Sequence, residues 1–166
     1  TGIIISYFYT ALVILQKYSG YSEFLIGTVA SFGPLGLIFS GFFVTKLLKK
    51  FGFYKIIFIS TVTQGLCIIL MLEYFNPINL SFCFFIFGIM GGLTWMTMDT
   101  WVNIVSNNSN RGKSIGIYNS SVTTGLALGP LIVGIFGTSS RIPLIICMIL
   151  VGFKLISLIS ITYLML

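Results

Sequence analysis

Apolar residues fill this chain in long runs separated by brief polar punctuation, and the runs fall at roughly 1–16, 24–48, 56–72, 80–102, 114–136 and 142–166. Five of them approach or exceed the ~17 to 25 residues that carry an α-helix across a ~30 Å hydrocarbon layer. The first is shorter, at about 1.5 Å per residue, and opens on Thr1 rather than Met, so we expect the sequence to begin inside its first helix. Stretches such as 58–72 are apolar on every side, with scattered Ser, Thr and Gly. A membrane barrel would instead alternate apolar and polar positions over ~10-residue segments. The pattern predicts an all-α integral membrane protein, a bundle of six transmembrane helices.

The expected connectors are 17–23, 49–55, 74–79, 103–113 and 137–141. Pro77 and Pro143 stand where turns and first helical residues tolerate a missing N–H. Lys46, Lys49, Lys50, Lys55, Arg111 and Lys113 crowd the second and fourth connectors, against Lys17 and Arg141 on the others. Basic residues stay on the cytoplasmic side, which predicts that those two connectors and both chain ends face inward.

Composition narrows the choice further. Charged residues make up 7% of the chain and hydrophobic ones 57%, whereas soluble domains carry about 25% charged residues. The net charge of +6 does not point to nucleic acid, because the basic residues sit in gaps between spans, where they meet lipid head groups. Cys67, Cys83 and Cys147 lie within apolar runs, without a C-x-x-C pair, and the chain has no histidine. No metal or cofactor is expected from such a set. Catalysis is not expected either, since the acids are Glu23, Glu73 and Asp99 and no base accompanies a nucleophile. The first run does not have the flanks of a cleavable signal.

Three motifs carry more information. In the fifth run, Gly116, Gly125, Gly129-Pro130 and Gly134 place small residues where helix backbones could touch, and Pro130 frees the carbonyl of Leu126. This spacing resembles the antiporter motif of drug–proton antiporters in the major facilitator superfamily, with Val133 where that motif has a glycine. The connector Leu47-Leu48-Lys49-Lys50-Phe51-Gly52-Phe53-Tyr54-Lys55 resembles the superfamily's Asp-Arg-x-Gly-Arg-Arg/Lys loop, with Lys49 in the place of Asp and Lys50, Gly52 and Lys55 matching. A positive-inside loop with a helix-ending glycine accounts for the same residues. Asp99-Thr100-Trp101-Val102-Asn103, then Arg111-Gly112-Lys113-Ser114 and Tyr118, resemble the fourth-to-fifth helix junction of the YcaD-like branch of that superfamily.

With Ser19-Gly20-Tyr21-Ser22, the resemblance covers the chain as the N-terminal half of such a protein. It implies two inverted three-helix repeats, 1–75 and 80–166, and a C-terminal half outside this sequence. It further implies a secondary transporter of a small solute in the inner (plasma) membrane, working by alternating access, with protons as antiport partners. No G-x-x-x-x-G-K-[ST] loop is present to use ATP. The rival expectation is a non-transporting remnant or accessory bundle.

Within that frame, Asp99 is expected near Arg111 or Lys113, either locking the inner gate or acting on solute or proton directly. Trp101 reads as an interfacial belt residue. Lys154, about a dozen residues into the sixth run, faces a cavity or snorkels to the cytoplasm. Gln64, Asn119, Ser120, Thr123 and Thr124 are candidates for a polar pathway or for helix–helix hydrogen bonds. Gly33-Pro34-Leu35 in the second run echoes Gly129-Pro130-Leu131 in the fifth.

Overall fold

A computed structural model describes residues 1–106, 110–137 and 141–165, with side chains through residue 160. Among the described residues there are six helices: α1 (Gly2–Tyr18), α2 (Glu23–Gly41), α3 (Val44–Glu73), α4 (Pro77–Val105), α5 (Arg111–Phe136) and α6 (Ile142–Met165). No strand occurs among the described residues. Five helices are long and apolar enough to span a membrane, and α1 is a shorter apolar helix.

The largest departure from the expected connectors lies between α2 and α3. Phe42 and Phe43 keep right-handed dihedrals, and their N–H groups donate to the carbonyls of Phe39 and Ser40, three residues back, at 3.3 and 3.1 Å. Such a tightened turn continues the rod instead of reversing it. The reversal comes at Gly52 alone, with φ 74° and ψ 170°. Glycine takes that left-handed φ freely, where another residue would be strained by about 1–2 kcal/mol. The expected loop 49–55 thus shrinks to one glycine between helical segments that run on through Phe51 and resume at Phe53.

Local signals fix the other ends. The Ser22 hydroxyl accepts from the Leu25 N–H at 3.3 Å, and the Asn76 side chain accepts from the Asn79 N–H at 2.9 Å, with Pro77 as the first residue of α4. Each cap satisfies a helix-end donor that has no partner inside its helix. Between α1 and α2, Tyr21 donates to the carbonyl of Phe75 at 3.1 Å. This ties two turns at one end of the bundle, and burial pushes the Tyr21 phenol above its ordinary pKa.

Helix α4 lies at the centre, against α2 on one side and α3 on another; α1 lies against α5, and α6 packs on α3 and α1. Two seams hold this arrangement. In the α2/α4 seam, Gly88 lies against the backbone of Gly33, Gly36 against the Phe85 carbonyl and Gly92 against Ser40. In the α1/α5 seam, Gly2 lies against Val122, Gly125 against Ile3, and Gly129 against Ser6 and Tyr7. Lipid tails are as apolar as leucine, so helices in a membrane gain by packing backbones closely rather than by escaping the solvent. Between the seams, the rings of Phe8 and Phe87 stack at 3.7 Å and join α1 to α4. The packed interior also holds Ser40, Ser60, Thr61, Gln64, Thr94 and Thr97, while Phe24, Ile78 and Ile135 stand exposed. Polar side chains inside and large apolar ones outside is the distribution a lipid solvent demands.

Candidate functional site

Three polar places remain once the seams are accounted for. The largest is an open cleft of about 710 Å³ along α5, lined by Lys113, Gly116, Ser120, Ser121, Thr124 and Leu128 among others. Ser121 donates to the Ile117 carbonyl and Thr124 to the Ser120 carbonyl, both at 2.8 Å. With their protons committed to their own helix, the two hydroxyls keep acceptor lone pairs free. The motif glycines divide here. Gly125 and Gly129 are packed into the α1 seam, whereas Gly112, Gly116 and Gly134 face open space. Pro130 stands exposed one residue after the buried Gly129, and Pro34 stands likewise after Gly33.

The second place is the junction of α4 and α5. Asp99 and Tyr118 stand across from each other on one small cleft. Asn103 donates to the Asp99 backbone carbonyl at 2.8 Å, and Arg111 Nη2 donates to the Asn103 side-chain oxygen at 2.9 Å. These groups border a cleft of about 180 Å³ that also meets Val102, Ile115 and Asn119. The expected approach of Asp99 to Arg111 or Lys113 is therefore replaced by a relay. Asn103 lies one turn nearer the end of α4 and meets Arg111, the first residue of α5, while Tyr118 lies two turns along α5 and comes level with Asp99. Among the described residues the ion pair is the exposed Lys17–Glu23 contact at 3.6 Å, at the opposite end. Trp101 is exposed, as a belt residue would be. Lys49 and Lys55 are exposed on the basic turn, and Lys50 Nζ lies 5.3 Å from the ring centre of Phe51.

The third place is at mid-depth. Lys154 Nζ donates to Gln64 Oε1 at 3.2 Å, joining α6 to α3, and the Gln64 amide nitrogen faces Gly91 of α4. Gln64 is 1% exposed. Lys154 therefore turns into the bundle instead of snorkelling. Its companions among the pathway candidates, Asn119 and Thr123, are exposed on α5, so the four do not form one site. Sequence reasoning missed the meeting of Tyr118 and Asp99 on one cleft and the whole α2/α4 seam. The seam's signal was available in Gly88-Ile89-Met90-Gly91-Gly92, which repeats the four-residue glycine spacing of Gly125 and Gly129.

Residues 1–166 match the family model described as the Major Facilitator Superfamily. The chain belongs to that superfamily. Over 137 residues it is 28% identical to the MFS-type transporter YfkF of Bacillus subtilis (strain 168), itself uncharacterized, a match covering 80% of this chain and 34% of that protein. The chain thus spans about a third of that relative's length. No solved structure matches it. Membership makes this superfamily chain a multi-pass membrane protein of a transporter family rather than of an enzyme family, and small molecules are the substrates such a family moves.

Proposed function

We propose that these six helices are the N-terminal half of a secondary transporter, of the YcaD-like branch, that exports a small solute in exchange for protons by alternating access. The observation that carries this reading is the polar cleft on α5. Beside the exposed Asn119 and Thr123, Ser120, Ser121 and Thr124 present acceptors along the middle of a helix. Polar groups at that depth belong toward water, solute or further protein, not toward lipid. A C-terminal half facing this surface would enclose the solute, and rocking of the two halves would open it to either side.

The division into repeats 1–75 and 80–166 is part of the same reading. Exchanging α1 with α4, α2 with α5 and α3 with α6 turns the α1/α5 seam into the α4/α2 seam, and the α3/α4 contact into the α6/α1 contact; all four occur in the bundle. The Gly-Pro pairs of α2 and α5 then occupy equivalent places. In α5, Pro130 leaves the Leu126 carbonyl without its helical donor, a suitable hinge. The Asp99–Asn103–Arg111 relay, with Tyr118 on the same cleft, would hold the cytoplasmic gate, with the Gly52 and Asn110 ends of the bundle inside the cell and the protein in the plasma membrane.

The test reconstitutes the intact protein into vesicles containing a pH-sensitive dye and adds a panel of small solutes against an imposed proton gradient. The expected result is proton movement that depends on a particular solute and is absent from empty vesicles. Absence of solute-dependent flux under gradients of either sign would favour a non-transporting bundle. A single cysteine introduced as Phe51→Cys should react with an impermeant maleimide from the cytoplasmic side only.

A further inference from the structure

A lysine held by a glutamine in the middle of the bundle is an unusual way to bury a cation. The chain has three acids. Glu23 opens α2, Glu73 closes α3 and Asp99 lies near the end of α4. None is at the depth of Lys154, twelve residues into α6. A charge at mid-membrane is costly unless compensated, and the Nζ–Oε1 hydrogen bond of 3.2 Å supplies a neutral partner where a counter-ion would be expected. Neither Lys154 nor Gln64 lines the α5 cleft or the cleft between α4 and α5.

The choice of partner decides what the pair can do. A carboxylate would favour the ammonium state alone and fix the charge. An amide has both an acceptor and two donors. Its oxygen accepts from the ammonium, and after the amide rotates, its N–H can donate to the lone pair of the neutral amine. Gln64 can thus satisfy Lys154 in either protonation state, with Gly91 beside the amide nitrogen presenting no side chain of its own. The groups facing Lys154 from the packed elements do not hold its charge in place either. The buried titratable side chains on the helices around it, Tyr7 on α1, Cys67 on α3, Cys83 on α4 and Cys147 on α6, include no carboxylate.

We propose that the Lys154–Gln64 pair is a proton-binding site inside the membrane, the place where this half takes up and gives back the coupling proton. In the step, Lys154 Nζ–H breaks and the proton passes to water on the side then open, leaving a neutral amine that accepts from the Gln64 amide; the reverse step restores the ammonium. This rests on the transporter reading for its purpose but not for its detection.

The intact protein, reconstituted on a solid-supported membrane, is subjected to a pH jump without any solute, and charge displacement is recorded. Wild type should give a transient current, because a proton enters part of the membrane field. Lys154→Gln and Lys154→Arg should both abolish it, the first by removing the amine and the second because guanidinium does not deprotonate. Gln64→Glu should abolish it as well by pinning the ammonium, and it keeps the proposal testable if either Lys154 variant fails to yield a monodisperse protein. A wild type without a transient, or a transient that survives in Lys154→Arg or Gln64→Glu, overturns the assignment. A transient in wild type together with no solute flux would overturn transport while leaving the proton site standing.

Discussion

The two glycine seams of this bundle are built to the same plan but not to the same tolerance. In the α2/α4 seam, backbone meets backbone: Gly88 against Gly33 and Gly36 against the Phe85 carbonyl, with Ser40 folded onto its own helix through a 2.6 Å bond to Leu37. In the α1/α5 seam a side chain intervenes, because Ser6 stands between Gly125 and Gly129 and donates across to the Gly125 carbonyl at 3.3 Å. Both seams mix the two kinds of contact, since Gly2 also meets the Val122 carbonyl and Gly92 meets the Ser40 hydroxyl, but at the centre of the α2/α4 seam, at Gly88 and Gly36, only main chain is met and nothing can step aside. A seam with a rotatable hydroxyl can slide by a fraction of a turn and re-form. On the proposed alternating-access reading, the α2/α4 contact is expected to hold the fold and the α1/α5 contact, next to Pro130, to move.

The sharpest way to break this contrast is Gly88→Val. Any Cβ at position 88 would overlap the main chain of Gly33, and neither helix can yield locally, so we expect destabilisation of about 3 kcal/mol or more, the upper range for overpacking. It is measured by denaturant unfolding of the purified protein in detergent. Recovery of a normally stable Gly88→Val protein would remove the anchoring role from this seam.

Gly129→Val should cost less, about 1–3 kcal/mol, because the first atom met is the Ser6 hydroxyl, which can rotate, although the Tyr7 main chain stays in the way. Its larger effect should be on flux. A variant that unfolds normally yet transports at the wild-type rate would contradict the assignment of movement to α1/α5.

The contrast also shows what could be read from sequence. Apolar runs placed all six helices, since lipid acts on every span alike and leaves its mark on nearly every residue. The glycine spacing on α5 pointed to a seam, yet the matching seam on α4 went unread, because Gly88 and Gly92 are not followed by a proline that draws attention to them. The basic turn was expected to be seven residues and is one, for the reversal depends on a single dihedral at Gly52 rather than on polarity. At Asp99, charge alone suggested Arg111 or Lys113, while helix phase sets Tyr118 on the same cleft. The union of Lys154 with Gln64, ninety positions apart, could be learned only from how α3 and α6 pack.

Ser6→Ala sharpens the comparison at smaller scale. Interhelical hydrogen bonds in membranes average about 0.6 kcal/mol, and this hydroxyl is shared between the carbonyls of Ile3 and Gly125, both at 3.3 Å. We expect a loss of that size or less by the same unfolding assay. The companion change Ser40→Ala should lie within the same range, so a much greater loss at Ser6 would mean that the hydroxyl holds the α1/α5 seam instead of easing it.

The smallest effect is expected at Gly116, and it separates a glycine that packs from one that only belongs to the same motif. No atom lies within 4 Å of where its Cβ would stand, its φ is not positive, and it lines the α5 cleft. Gly116→Ala should therefore leave stability unchanged or raise it by up to about 1 kcal/mol, the gain in helix propensity. Gly116→Leu should unfold like wild type too, but it would fill part of the cleft and slow solute-dependent flux. If both variants destabilised the protein as Gly129→Val does, the motif would be one continuous packing face, and the distinction between a seam and a solute-lining surface on α5 would fail.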